Sequence, residues 1–294
     1  MSLLDNRAND DLASLEAGLD ALESTERKTR PRWRRWLSAT WPPLVAVALL
    51  VVAWQLVYDA GVLPAYRLPS PADVLASLRE QWKAGSLQEA AWNSVRRGGL
   101  GFLASLAIGT PLGLLVGRVR SVRRAIGPIL SGLQSLPSVA WVPAAILWFG
   151  LSDATIYFVV LMGAVPSIAN GMVSGLDQVP PLYLRVGRVL GARGLASARH
   201  VLLPAALPGY VGGLRQGWAF SWRSLMAAEL IARSPDLGLG VGQLLDQSRQ
   251  LQDFPGVLAG ILMILVIGIA IELCLFAPIE RRVLRRRGLV AATS

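Results

Sequence analysis

Residues 176 to 208 read LDQVPPLYLRVGRVLGARGLASARHVLLPAALP. This polar, arginine-bearing stretch lies between two apolar runs, in a chain of 294 residues that is 53% hydrophobic and 16% charged. Such a composition is too apolar for an ordinary soluble domain and belongs in a bilayer. The longest internal polar insertion of a membrane-embedded chain is a surface for something soluble to touch. Pro180 and Pro181 stop the preceding helix, and Leu182 to Val189 can form a short helix with Arg185 and Arg188 on its polar side. Gly191 and Gly194 permit a tight turn, Leu195 to Leu203 can resume as a second short helix, and Pro204 and Pro208 set the start of the next span. The expected product is a compact helical hairpin, rigid enough to carry force.

Crossing the hydrocarbon as a helix takes about 20 apolar residues. Six segments qualify: Pro43 to Tyr58, Gly98 to Val116, Ile126 to Phe149, Thr155 to Val173, Gly209 to Ile231 and Pro255 to Pro278. The expected fold is therefore all-α and polytopic. A polar N-terminal extension covers residues 1–40, a transmembrane domain 41–280, and a basic tail 281–294. The extension lacks the apolar core of a signal peptide, and Leu12, Leu15, Leu19 and Leu22 within it mark one face of a short helix.

Basic residues orient the spans. One side collects the run from Arg27 to Arg35, then Arg118, Arg120, Arg123 and Arg124, the arginines of the 176–208 loop, and Arg281 to Arg287. The other side holds far fewer: Arg67, Arg79, Lys83, Arg233 and Arg249. Both termini and the loop are expected in the cytoplasm of a bacterial cell, bounded by its inner membrane. Arg96 and Arg97 fit least well and would snorkel to the headgroups. The net charge of +10 is explained by topology and anionic lipid, without nucleic acid. On the far side, Leu68 to Ser86 reads as an amphipathic helix with Ser70 as N-cap and Pro71 in its first turn. It would lie on the headgroups or form part of a platform for an outside partner.

Chemistry is sparse. The lysines, Lys28 and Lys83, are not preceded by glycine, so no phosphate-binding loop is present. The sole histidine, His200, has no metal-ligand companions, and the single Cys274 excludes a cysteine cluster. Catalytic residues, cofactor and metal are therefore expected to be none. Charges at bilayer depth mark pathways or pairs. Arg215 and Glu272 fall at similar depth and are expected to form a structural ion pair. Arg223, near the middle of its span, is expected beside a translocation path, or in a pairing with Glu229 or with a backbone carbonyl of a second copy of the chain. Gln134, Ser135 and Trp141, together with Glu229, complete the candidate path, because the prolines at 137 and 143 interrupt the third span.

Gly191-Ala192-Arg193-Gly194 followed by Val201 to Pro208 resembles the cytoplasmic signature of the membrane subunits of ABC importers, the binding-protein-dependent permeases. Gly191 matches the signature glycine and Pro204 its closing proline, whereas Arg185 and Gly187 stand where the family has glutamate and alanine. Leu68 to Val74, Ser135 to Asp153 and Ala227 to Gly240 resemble the sulfonate, taurine and nitrate branch. The resemblance implies a type I importer fold in which the loop holds a coupling helix. Arg185, Arg188, Gly191, Ala192, Arg193, Gly194 and Pro204 would then face a separate ATP-binding subunit. It further implies an extracytoplasmic solute-binding protein, a second copy of the chain as homodimer partner, surrounding membrane lipid, and a small anion as cargo. An aliphatic sulfonate comes first, ahead of taurine, nitrate or bicarbonate. An ion-coupled secondary transporter is the alternative from another class; it would more often show two similar halves and intramembrane carboxylates.

Overall fold

The computed structural model describes residues 32–64, 66–232 and 238–287. The leucine stripe at 12–22, the first part of the N-terminal basic run, Arg233 and the end of the basic tail lie outside them. Among the described residues there are helices and no strands. The chain divides into two compact units, Met1–Ala60 and Gly61–Ser294. The first contributes one long helix, α1 (Arg32–Asp59), whose stretch Trp41–Asp59 is apolar enough to cross a membrane.

The second unit opens with α2 (Pro71–Lys83), whose N-cap is Ser70 as its sequence predicts and whose first turn closes in a capping box with Asp73. Ser70 Oγ accepts from the Asp73 N–H, and Asp73 accepts from the Ser70 N–H. Then follow α3 (Ser86–Arg118), α4 (Arg120–Ser135), a 3-10 turn over Ser138–Trp141, α5 (Val142–Phe149) and α6 (Asp153–Asp177). The loop supplies α7 (Pro181–Val189), α8 (Gly194–Ser197) and a π turn over Ala198–Leu202. The chain closes with α9 (Leu203–Ile231), α10 (Val241–Gln250), α11 (Phe254–Ile271), a second π turn over Glu272–Phe276 and α12 (Ala277–Arg286).

Six spans are expected from the sequence. Four described helical segments qualify by length and apolarity alone: Trp41–Asp59, Ser86–Arg118, Asp153–Asp177 and Phe254–Arg285. A fifth is the pair Arg120–Ser135 and Ser138–Phe149, bent by 98°. The prolines cause that bend: Leu136 and Pro137 take extended backbone conformations, so no helical hydrogen bonds cross the break. The segment expected as span five is helical within α9 but is not among those apolar enough, since Arg215, Gln216, Arg223 and Glu229 lower its hydropathy. It is nevertheless central, packed most extensively against α6, which in turn packs against α3.

Small residues set the α6–α9 contact. A Cβ on Gly213 would collide with the Gly171 Cα, and one on Gly175 would sit 2.9 Å from the Ala206 carbonyl oxygen and the Tyr210 nitrogen. In lipid, where apolar surface has no water to escape, such close van der Waals contact is a main source of helix association. Thr110 and Tyr210 share a 2.5 Å hydrogen bond that ties α3 to α9. Gly212, next in sequence, has open space where its Cβ would be. Gly213→Ala is therefore expected to lower the thermal unfolding midpoint of the detergent-solubilised chain, with overpacking worth about 1–3 kcal/mol. Gly212→Ala is expected to leave the midpoint unchanged or raise it, through helix propensity.

Candidate functional site

The loop's geometry follows from two glycines and a proline. Helix α7 ends in a Schellman motif: the Ala192 N–H donates to Gly187 O at 2.9 Å, and the Gly191 N–H donates to Arg188 O at 3.1 Å. Gly191 occupies the left-handed position with φ +84°, where a side chain would be strained. A Cβ on Gly187 would stand 2.9 Å from Val201, so the glycine found where the family has alanine lets α7 lie directly on the returning segment. The second short helix does not end before the membrane as the sequence suggests. It runs through the π turn straight into α9, with the Leu203 N–H donating to Ala198 O. Pro204 has no N–H for the carbonyl four residues back, and the wider turn absorbs that loss.

On the outside of this hairpin, Leu182, Tyr183, Val186, Leu190 and His200 help line an open groove of about 450 Å³. Arg185, Arg188, Arg193 and Arg199 are exposed around it, with Ala192 half-buried. His200 Nδ1 lies 3.1 Å from Ala196 O, a local helical contact.

At bilayer depth the predicted residues separate. Arg215 Nε is 2.5 Å from Glu272 and its Nη1 is 3.3 Å from Glu280, so a second carboxylate joins the pair read from sequence. Arg223 is exposed on α9; its Nε donates to Ala219 O at 3.0 Å and its guanidinium lies 4.7 Å from the Phe220 ring centre. The adjacent Ser224 packs on Gly163 of α6, with Ser138 of the broken span close by. Gln134 accepts from Asn170 Nδ2 at 2.6 Å, and the Ser135 hydroxyl donates to Gly132 O at 2.8 Å, closing the end of α4. Trp141 makes an edge-to-face contact with Phe158 at 6.1 Å.

Glu229 departs from expectation. The sequence reading sets it beside the path or opposite Arg223, yet it is 0% exposed and sits at the end of α9 remote from the loop. Ser94 Oγ donates to its carboxylate at 2.7 Å, the Gly242 N–H donates at 3.0 Å, and Arg97 Nη1 lies 3.4 Å away. The Val241 N–H in turn donates to Ser94 Oγ at 2.9 Å. The carboxylate thus caps the first turn of α10, satisfying amides that a helix N-terminus leaves unpaired. Arg97, assigned by topology to the headgroups, is instead 5% exposed, and its Nε reaches Asp153 at the start of α6 at 3.0 Å. Two residues of the cluster were signalled in the sequence, Glu229 as a charge within a span and Arg97 by its poor fit to the charge pattern; that they meet, with Ser94, Asp153 and the start of α10, was not.

Apolar helices, one of them sharply broken, around a charged central helix, and a rigid hairpin on one side, define a polytopic membrane transport subunit. The chain belongs to the family of binding-protein-dependent transport system inner membrane components, whose pattern matches residues 109–285. It is a permease subunit and not an enzyme. It is 29% identical over 246 residues to SsuC of Bacillus subtilis, provisionally assigned as an aliphatic sulfonates transport permease, covering 84% of this chain and 86% of that one. It is also 29% identical to the taurine transport system permease protein TauC of Escherichia coli, covering 80% and 86%. To the nitrate import permease protein NrtB of Synechocystis it is 30% identical, covering 79% and 83%. In fold it resembles an inward-facing form of the MetNI methionine ABC transporter, with a TM-score of 0.54 and 20% identity over 67% of this chain and 96% of that one.

Removing one partner of a buried ion pair strands the other charge, at a cost of about 3–5 kcal/mol. Arg97→Ala is expected to lower the unfolding midpoint of the solubilised chain markedly, and Arg97→Ala combined with Glu229→Gln should recover much of that loss. Equal midpoints for Arg97→Ala and the parent would show that Glu229 is held by its other donors alone.

Proposed function

We propose that this chain forms the translocation path of an ABC importer for a small oxyanion, an aliphatic sulfonate first, and that the 176–208 hairpin is the element through which a separate ATP-binding subunit drives it. The observation that carries the coupling role is the close packing of the hairpin and its continuity with α9. Helix α7 is stopped at Gly191, packed on Val201 through Gly187, and continuous with α9 through the π turn. A push on its apolar groove and exposed arginines would therefore reach α9 without being lost in a floppy linker. In this reading the groove faces the ATP-binding subunit, both termini share its side of the membrane, and two copies of the chain enclose the path. A solute-binding protein delivers cargo from the opposite side.

The anion preference rests on Arg223. Its exposed guanidinium projects from the α9 segment that passes Gly163 and the break in the third span, and it has no carboxylate partner among the described residues. In the assembled pair of copies it would supply fixed positive charge along the path. The relatives are named for aliphatic sulfonates, taurine and nitrate, each of which carries a negatively charged oxygen group, which agrees with that chemistry. Gln134, Ser135 and Trp141 belong to the interrupted span that flanks this region.

Three experiments test the reading. Gly191→Val, which cannot take the left-handed conformation without strain, and Arg193→Glu are each expected to leave ATP hydrolysis running while uptake falls about ten-fold or more, a transition-state loss above 1.4 kcal/mol. Undiminished coupling in both would remove the hairpin from the drive train. Arg223→Leu is expected to abolish uptake with subunit assembly and binding-protein docking intact. Growth of a gene deletion on an alkanesulfonate, taurine or nitrate as sole sulfur or nitrogen source then identifies the cargo.

A further inference from the structure

Helix α2 and the α11 span enclose a groove that the transport reading does not use. Leu75, Leu78 and Trp82 of α2, Leu87 of α3, and Leu262, Met263 and Val266 of α11 line a space of about 410 Å³ with almost no polar wall. Arg79 and Lys83 stand at its rim, one helical turn apart, and neither forms an ion pair among the described residues. Leu75 and Trp82 are 51% and 58% exposed, so the apolar face of the amphipathic helix is only partly covered by the protein itself.

Depth decides what fits there. The last span, Pro255 to Pro278 by its sequence, is about the length that crosses the hydrocarbon. Leu262, Met263 and Val266 then lie inside the hydrocarbon, and the long side chains of Arg79 and Lys83 can snorkel toward the headgroups. A soluble partner does not reach an apolar wall at that depth. We infer that this groove is a binding site for an anionic phospholipid, one acyl chain seated between α2 and α11 and the phosphate held by Arg79 and Lys83. Basic residues at the mouth of an apolar cleft between membrane helices match both halves of such a ligand. The inference needs the chain to be in a bilayer and is independent of its cargo and of the direction of transport. Helix α2 would thereby hold a lipid against the last span.

The test uses the full-length chain, with the subunits that co-purify, reconstituted in vesicles of equal parts phosphatidylglycerol and phosphatidylethanolamine. A photoreactive residue replaces the exposed Leu75. Irradiation followed by peptide mass analysis should give a phosphatidylglycerol adduct well above the phosphatidylethanolamine adduct. Arg79→Glu with Lys83→Glu should reduce the phosphatidylglycerol adduct about ten-fold or more, while Arg79→Lys with Lys83→Arg retains it. Both positions are exposed, and unchanged unfolding midpoints confirm that the variants fold. Labelling of another protein segment, whether α1, a second copy or a different subunit, would overturn the assignment. So would equal labelling of the two lipids, labelling insensitive to charge reversal, or no lipid adduct.

Discussion

A carboxylate buried without exposure among membrane helices is the constraint on which much of this structure turns. Unpaired, Glu229 would cost several kcal/mol; its position is tolerable because a hydroxyl, a backbone amide and a guanidinium converge on it from α3 and α10. Those donors have to be held in place, and the consequences spread outward. Gly240 and Gly242 bring the start of α10 so close that a Cβ on either would stand 2.6 Å from Glu229. Arg97 extends the network to Asp153, so the remote ends of α3, α6 and α9 are pinned around one charge.

The opposite ends of the same helices are organised differently. Near the loop, α6 and α9 meet through Gly171, Gly175, Gly209 and Gly213, with no charge between them. Close contact of this kind is dispersion held by shape, and a small shift of one helix is felt directly by the other. The hairpin grows from this tight pair: α6 leads into it and the π turn delivers it into α9.

Much of the fold was legible because membrane helices have few options. Length and apolarity marked the spans, Ser70-Pro71 marked the start of α2, and Pro137 marked the break that bends the third span by 98°. The hairpin could be read in detail, since a glycine at a helix end and prolines at its margins are local constraints. Pairing across helices was another matter. Arg215 and Glu272 could be matched by depth, yet Glu280 joined them from one helical segment further on. The sequence leaves Arg223 either beside the path or paired, with Glu229 among the candidate partners, whereas rotation about α9 sends one side chain into the core and the other outward.

Sequence by itself settled that this is a membrane-embedded helical subunit, where its polar hairpin lies, and to which family its Gly191-to-Pro204 spacing belongs. The first two follow from hydropathy and backbone stereochemistry, which act over a turn or two of chain, and the third from the resemblance of the hairpin's residues to the family signature. Tertiary structure alone decided that Arg97 is buried, that Glu229 caps α10, that Gly187 makes room for Val201, and that α2 and α11 leave an apolar groove between them. Each of these depends on which faces of distant helices meet, and no local property of the chain encodes that rotation.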